Sequence, residues 1–244
     1  MRIPRIYLPV DLTSDTEVEL DDRAYQHVVQ VLRLKQDAAL MLFNGKDGEY
    51  EATLITAEKR HAVVLIGKYS NPLSESPLAI HLGLGISKGE RMDFAIQKAV
   101  ELGITDITPL FTERSVVQLD DKRQEKRLKH WQGIIQSACE QCGRTVLPEL
   151  HAMPDYNDWV KHIDADSTKL ILDPYSTKKL TNISPAPTRI RLAIGAEGGF
   201  SGKEIKSALD NGYLGLNLGP RILRTETAVI AGLAALQTVW GDLN

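Results

Sequence analysis

Two arginines and a glutamate, Arg221, Arg224 and Glu226, fall within six positions of one another. They follow Gly219-Pro220 and precede an alanine-rich apolar stretch, with Thr225 and Thr227 beside them. A guanidinium can stabilise negative charge that develops on an oxygen, and a carboxylate can take a proton. Set at the head of a helix, near its positive end, the group suits an anionic or polar ligand. The same letters would also serve an ordinary capped helix start. A second segment, Gly195-Ala-Glu-Gly-Gly-Phe200, has three glycines in five positions. Such spending of backbone entropy usually marks left-handed backbone or close approach to something bound. No Lys-Ser/Thr follows the last glycine, so a phosphate-cradling P-loop is excluded.

Both segments need elements to hold them. Apolar Ile190–Ile194 reads as a strand leading into the glycine loop, and Ser201-Gly-Lys-Glu204 as a capping box opening a helix. Leu214, Leu216 and Leu218 read as a strand end leading into Gly219-Pro220, where proline fixes φ and glycine leaves the backbone bare. Two strand-to-helix loops therefore close the last fifty residues. In open α/β sheets, ligands collect at the carboxyl ends of strands.

Alternation of apolar runs with helical stretches extends back through the chain. Runs at 78–86, 104–110, 170–172, 189–194 and 214–218 argue for a mainly parallel sheet covered by helices. The spacing predicts helices over 90–102, 121–142 and 226–240. Met92, Ala95, Ile96, Ala99, Val100 and Leu102 line the first, and Leu128, Trp131, Ile135, Ala138 and Cys142 line the second. The third is apolar nearly all round, through Val229, Ile230, Leu233, Leu236, Val239 and Trp240. That pattern implies burial on every side, or against a second copy of the chain. Thr112-Glu-Arg-Ser115 follows the second strand, and a charged pair there is better placed for a site than for packing.

Gly83 and Gly85 precede a helix, with Asp106 further on, which half resembles a dinucleotide fingerprint. The third glycine of that fingerprint would fall at Lys88, and Gly89 comes one place late.

Asn71-Pro-Leu-Ser-Glu-Ser-Pro77 breaks all periodicity and reads as a linker. Before it, residues 17–20, 38–43, 49–56 and 62–66 read as short strands, with Asn44-Gly45 and Asp47-Gly48 as hairpin turns. One helix interrupts them, capped by Asp21 or Asp22, with Ala24, Val28, Val31 and Leu32 on its buried face. The arrangement fits a small β-barrel with an inserted helix. Arg2, Arg5, Arg23, His27, Arg33 and Lys35 concentrate positive charge here; singly each arginine reads as solvated surface, and as a set they fit an RNA contact.

The composition is that of an ordinary globular chain: 244 residues, 43% hydrophobic and 25% charged. A net charge of −3 argues against indiscriminate nucleic-acid binding, so an RNA partner must be met by a local basic patch. The densest lies in the first half of the long helix, at Lys122, Arg123, Lys126, Arg127, Lys129 and His130. No run of apolar residues is long enough for a membrane span, and the amino terminus lacks a signal-peptide pattern, which points to the cytoplasm. Cys139 and Cys142 are the only cysteines; late in a helix and without a second ligand pair, they read as core residues, and no metal is expected.

Six stretches carry a family likeness: Lys88-Gly-Glu-Arg-Met-Asp, Lys98-Ala-Val-Glu-Leu-Gly, Thr112-Glu-Arg-Ser, Glu140-Gln-Cys-Gly-Arg, Ile194-Gly-Ala-Glu-Gly-Gly-Phe and Leu218-Gly-Pro-Arg-Ile-Leu-Arg-Thr-Glu-Thr-Ala. With Arg2-Ile-Pro-Arg-Ile-Tyr at the start, the chain resembles the RsmE family of small-subunit ribosomal RNA uridine-N3 methyltransferases, in the SPOUT or α/β-knot superfamily. The resemblance implies a PUA-like RNA-binding β-barrel over residues 1–70, a linker over 71–77 and an α/β-knot (trefoil) methyltransferase domain over 78–244. It also implies a homodimer, S-adenosylmethionine as methyl donor, and 16S rRNA of the small ribosomal subunit as substrate.

By the same resemblance, three loops hold the cofactor through backbone contacts, at Leu172, at Gly195, Ala196, Gly198 and Gly199, and at Leu218, Gly219, Pro220, Leu223 and Thr225. Arg224 is expected to supply the cation and Glu197 or Glu226 the base. RNA contacts are expected from Arg2, Arg5, Arg33, Lys88, Arg114 and Arg144. The family usually has proline where this chain has Ala196, which frees φ in the donor loop. Two other readings stay open at this point, an RNA-binding module without catalysis and a nucleotide-dependent oxidoreductase using Gly83 and Gly85.

Overall fold

A computed structural model describes residues 3–46, 48–72, 74–115 and 119–243. Arg2 and the Asp47 half of the expected turn lie outside them. The chain forms two compact units, Met1–Glu75 with Gln136–Leu147, and Ser76–Ile135 with Pro148–Asn244.

In the first unit, β1 (Arg5–Tyr7), β2 (Glu17–Glu19), β3 (Ala39–Phe43), β4 (Glu49–Glu58) and β5 (His61–Ser70) form one mixed sheet in the order β1-β3-β4-β5-β2. β1 runs parallel to β3, and the other pairs are antiparallel. Side chains alternate across a strand, so Ala52 and Leu54 on β4 and Ala62, Val64 and Ile66 on β5 face one core with Ile6, Leu40 and Leu42. β1 escaped the sequence reading because three residues are too few to show a period.

The inserted helix departs from expectation. Asp21 caps α1 (Asp22–Tyr25) by accepting from the Ala24 N–H at 2.7 Å, and Ala24 and Val28 are buried as expected. Val31 and Leu32, however, are 69% and 38% exposed. From Gln26 to Val31 the helix is π, its wider turn closed by Leu32 N–H to His27 O at 2.9 Å. The wider turn moves Val31 and Leu32 off the face that α-helical spacing assigns them.

The expected boundary at residue 77 also needs an addition, because residues 136–147 belong to the first unit. The Glu140 carboxylate accepts from the Tyr7 N–H at 3.0 Å and from Arg23 at 2.8 Å. Arg144 donates to Glu75 Oε2 through Nε at 3.0 Å and through Nη2 at 2.6 Å.

The second unit is built on six parallel strands, β6 (Ala79–Gly85), β7 (Asp106–Leu110), β8 (Glu149–Leu150), β9 (Thr168–Leu172), β10 (Arg189–Ile194) and β11 (Leu214–Leu216). Their order is β11-β9-β10-β6-β7-β8. Helices α2 (Glu90–Glu101), α3 (Asp121–Cys142), α4 (Tyr156–Lys161), α5 (Gly202–Asp210) and α6 (Thr225–Trp240) accompany them, and the last seven residues of α3 fall in the first unit. The central strands are buried on nearly every residue, as expected where both faces of a parallel sheet are covered. On α6, Val229, Leu233 and Leu236 are fully buried while Val239 is 47% exposed. No helix among the described residues is long and apolar enough to cross a membrane.

Candidate active site

The order β11-β9-β10 sets the carboxyl ends of three parallel strands side by side. Everything that leaves those ends turns into the same space. A cavity of about 570 Å³ opens there, within the size range of small-molecule sites. Of the cofactor residues expected from sequence, Leu172, Gly195, Ala196, Gly198, Gly199, Leu218, Gly219, Leu223 and Thr225 line it, and Pro220 does not. Arg221, singled out from its spacing, lines the cavity as well, and Asp173, Pro174 and Tyr175 after β9, with Ile222 and Ile205, complete walls that spacing alone does not mark. Asp173-Pro174 directly after a strand was the available signal, since that pair punctuates a turn.

The glycine loop is held from three sides. Gly199 takes φ +63°, which only glycine adopts freely, and donates to Ala196 O at 2.8 Å. A Cβ on Gly195 would come within 2.9 Å of the Gly199 carbonyl carbon, so the loop closes tightly on itself. Arg114 clamps the outer side by donating Nη1 to Gly198 O at 2.9 Å and to Phe200 O at 3.2 Å. Its stem occupies the space where a Gly198 Cβ would go, 2.9 Å from Arg114 Cβ. Beneath the loop lies Gly85, whose added Cβ would sit 2.3 Å from the Ala196 nitrogen.

A second brace anchors the helix that follows. The capping box of α5 is complete, with Ser201 N–H donating to Glu204 Oε2 at 2.7 Å and Glu204 N–H to Ser201 Oγ at 3.2 Å. The buried Glu204 also accepts from the Glu113 N–H at 2.8 Å, and Ser201 Oγ donates to Glu113 Oε2 at 2.6 Å. Thr112-Glu-Arg-Ser thus serves the site by fixing the donor loop and the start of α5.

The glycines of the half-fingerprint have the same kind of role. Gly85 makes room for the Ala196 backbone, and Gly83 for the Trp159 ring, 2.5 Å from its missing Cβ. Asp106 is the first residue of β7, away from the carboxyl ends. Packing accounts for all three, and none is placed to bind a dinucleotide.

The expected catalytic and RNA residues are distributed unevenly. Glu197 lines the cavity, where its Oε1 accepts from the Lys88 N–H at 3.0 Å and lies 3.6 Å from Arg91. Burial alone would raise its carboxyl. Hydrogen bonds from the Lys88 and Glu197 backbone N–H groups and the Ser87 hydroxyl, with the Arg91 charge, instead hold it below the ordinary glutamate value. That favours a brace over a proton acceptor.

Arg224 is the exposed N-cap residue of α6, and Glu226 stands in its first turn with Oε2 buried and without a hydrogen-bond partner among the described residues. Neither lines the cavity wall. Lys88 and Arg33 are exposed, Arg33 at φ +53°. Arg5 and Arg144 correct the expectation of RNA contact. Arg144 is 5% exposed and paired with Glu75, while Arg5 is paired with Glu49, lies over the Phe43 ring and donates to Arg144 O at 3.1 Å. With Arg144 buried and Arg5 half-buried, and both paired, neither guanidinium is presented to a phosphate.

One other polar cluster has the makings of a metal site. His81, Asp106 and His151 offer ligand atoms within 4.8 Å of one another. His81 Nε2, however, meets Thr108 Oγ1 at 2.7 Å, and Arg191 Nη1 lies 3.4 Å from its Nδ1, setting a fixed positive charge against any cation. Of the two cysteines expected in the core, Cys139 is there and Cys142 is only half-buried. Cys139 is buried, and burial pushes its thiol up to about 12, so it stays protonated.

The RNA methyltransferase domain family matches residues 74–237, and the RNA methyltransferase PUA domain family matches residues 20–67. The ribosomal RNA small subunit methyltransferase E of Buchnera aphidicola subsp. Schizaphis graminum is 39% identical, the alignment covering 100% of this chain and 99% of that protein. The chain belongs to this methyltransferase family. Among solved structures, a methyltransferase from Legionella pneumophila in complex with its cofactor SAM is 43% identical with a TM-score of 0.96. The ribosomal RNA small subunit methyltransferase E of Neisseria gonorrhoeae bound to S-adenosyl methionine is 40% identical with a TM-score of 0.94. Each covers 100% of both chains. The match over 74–237 spans all six parallel strands, and the match over 20–67 falls within the five-stranded unit.

Proposed function

We propose that the chain transfers a methyl group from S-adenosylmethionine to N3 of a uridine in the 16S rRNA of the small ribosomal subunit, in the cytoplasm and as a homodimer. One observation carries the reading: the cavity at the ends of β9, β10 and β11, walled by the backbone of residues 195–199 and 217–219. Its apolar members Leu172, Ile194, Leu216, Leu218 and Leu223 suit a flat heterocycle, and its polar members Asp173, Asn217 and Thr225 suit the polar edges of a nucleoside and an amino acid. When bound, S-adenosylmethionine supplies an electrophilic methyl group on a sulfonium sulfur.

The chain's own residues supply alignment and charge. Holding two reactants in register removes much of the entropic barrier to a displacement, which is the service of a loop braced by Arg114, Glu113 and Glu204. Uracil N3 carries a proton that must leave. Of the two candidate bases, Glu197 lines the cavity but is committed to the Lys88 N–H, while Glu226, outside the wall, has an Oε2 without a hydrogen-bond partner among the described residues and is the less committed base. Arg224, two residues before it, is the cation for charge developing on the flanking carbonyl oxygens.

The α/β-knot belongs to the same reading. It is supported by β11, which follows β10 in the chain yet pairs with β9. A second copy would cover Ile222 and Val239, which are 79% and 47% exposed. Residues 1–70 are read as the PUA-like barrel that holds RNA, with Arg33 as an accessible contact.

Calorimetric titration with S-adenosylmethionine and mass spectrometry of rRNA nucleosides after gene deletion test the proposal. Binding of the donor and loss of one 3-methyluridine are expected; absence of heat, or an unchanged nucleoside profile, overturns it. Arg224→Ala is expected to lower kcat by roughly 10²–10³-fold with donor affinity kept. Unchanged turnover removes Arg224 from the mechanism.

A further inference from the structure

The first half of α3 is an unexplained concentration of charge. Between Asp121 and His130 stand Lys122, Arg123, Lys126, Arg127 and Lys129 against two carboxylates, Asp121 and Glu125, in a chain whose net charge is −3. A helix face of this kind usually carries alternating signs that pair along it. Here Arg123 pairs with Asp120 at 3.5 Å and His130 with Asp93 at 2.9 Å. Lys122, Lys126, Arg127 and Lys129 make no ion pair among the described residues, and the three lysines are exposed.

Their spacing gives them one side of the helix. Lys122, Lys126 and Lys129 follow i, i+4, i+7, a single stripe about 10 Å long. Spaced about 6 Å and about 4.5 Å along the axis, the three ammonium groups can follow consecutive phosphates of one strand.

Position ties the stripe to the cavity rim. Arg114 lines the cavity, and Asp121 opens α3 seven residues later, a reach of at most about 25 Å. From the other side, Asp93 on α2 accepts from the Trp131 indole at 3.1 Å and meets His130 at 2.9 Å. Two residues before Asp93, Arg91 lies 3.6 Å from the cavity residue Glu197.

We propose that the Lys122–Lys126–Lys129 stripe of α3 is a contact surface for the RNA phosphate backbone, guiding the substrate strand to the cavity. The inference rests on the RNA-methylating function proposed above and adds a binding surface to it.

The test compares Lys122→Gln/Lys126→Gln/Lys129→Gln with the unaltered protein in fluorescence anisotropy with a 16S rRNA transcript over a salt series. Loss of three phosphate contacts should flatten the slope of log affinity against log salt by about 2, at about 0.7 per single-strand contact. The triple Lys→Arg variant should restore it. Lys161→Gln/Lys206→Gln, which removes exposed charge from α4 and α5, should leave the slope unchanged. An unaltered slope in the triple Gln variant, or an equal loss per charge in the α4/α5 pair, overturns the inference. Heat of S-adenosylmethionine binding is read in parallel. Its absence in the unaltered protein would sink the functional proposal, whereas normal heat with an unaltered slope sinks only the stripe.

Discussion

The two halves of the six-stranded sheet use polar groups in opposite ways. Toward the amino ends of β6, β7 and β10, the chemically versatile side chains are closed on one another. His151 meets Asp106 at 2.9 Å, His81 stacks on His151 with centroids 5.0 Å apart, and Arg191 lies 4.0 Å over the Trp159 ring while donating to Trp159 O at 2.9 Å. Toward the carboxyl ends of β9, β10 and β11, glycine-rich loops instead line an open cavity. A search by residue type alone would choose the histidine cluster. The cavity chooses the loops, because a ligand needs space that the protein has not filled.

The sharpest way to break this contrast is a pair of alanine substitutions two residues apart on β6. At Gly85 the new methyl meets backbone, the Ala196 nitrogen at 2.3 Å, so the donor loop must move. Gly85→Ala should lower affinity for S-adenosylmethionine by about 100-fold or more, with a stability loss of about 1–3 kcal/mol from overpacking. Gly83→Ala meets the Trp159 ring at 2.5 Å and should cost comparable stability while sparing donor affinity. Calorimetry with thermal melts separates the two, and equal loss of affinity would end the distinction between the halves.

The closed cluster should reveal itself through pH. Burial, reinforced by the Arg191 charge, lowers His81 from 6.5 to about 4. The unfolded chain therefore takes up a proton near pH 6.5 that the folded chain resists until about pH 4. Stability from neutral His81 is full above about pH 6.5 and is lost as pH falls toward 4, by about 2–3 kcal/mol after allowance for partial exposure. Urea melts of the unaltered protein and of His81→Gln at pH 7.5 and pH 5 should show that loss only in the former. Equal losses would remove His81 as its source.

A smaller effect is expected at Arg114. Its two hydrogen bonds to Gly198 O and Phe200 O hold the donor loop from outside. Arg114→Ala should weaken donor binding by about 10-fold, about 1.4 kcal/mol, with little change in melting temperature. Unchanged affinity would show that the loop needs no clamp. Least affected should be the thiol chemistry. Cys139, held protonated by burial, should resist alkylation in the folded protein and react on unfolding, as thiol-labelling rates will report.

How much was legible in advance varied with the range of the interaction. α3 begins and ends where its periodicity placed it, at Asp121 and Cys142, and the Ser201/Glu204 box closed as read. These features depend on residues three or four apart. The buried face of the inserted helix was misread at Val31 and Leu32 because the widened turn from Gln26 has no signature in apolar spacing. Arg5 and Arg144 were read as open cations, yet Arg144 finds Glu75 across 69 positions and Arg5 finds the Arg144 carbonyl across 139. No local pattern encodes such partners.

By itself, the sequence determined where the backbone must turn, which segments alternate as strand and helix, and which loops carry bare glycine backbone. Local sterics, capping and burial period act within a few residues and so are written in order along the chain. Only the tertiary structure decided that β11 returns to lie beside β9, bringing three loops to one cavity. It alone settled which of the many charges remain available and which are consumed by distant partners. Packing sums contacts over the whole chain, and a charge is free or bound only after that sum is complete.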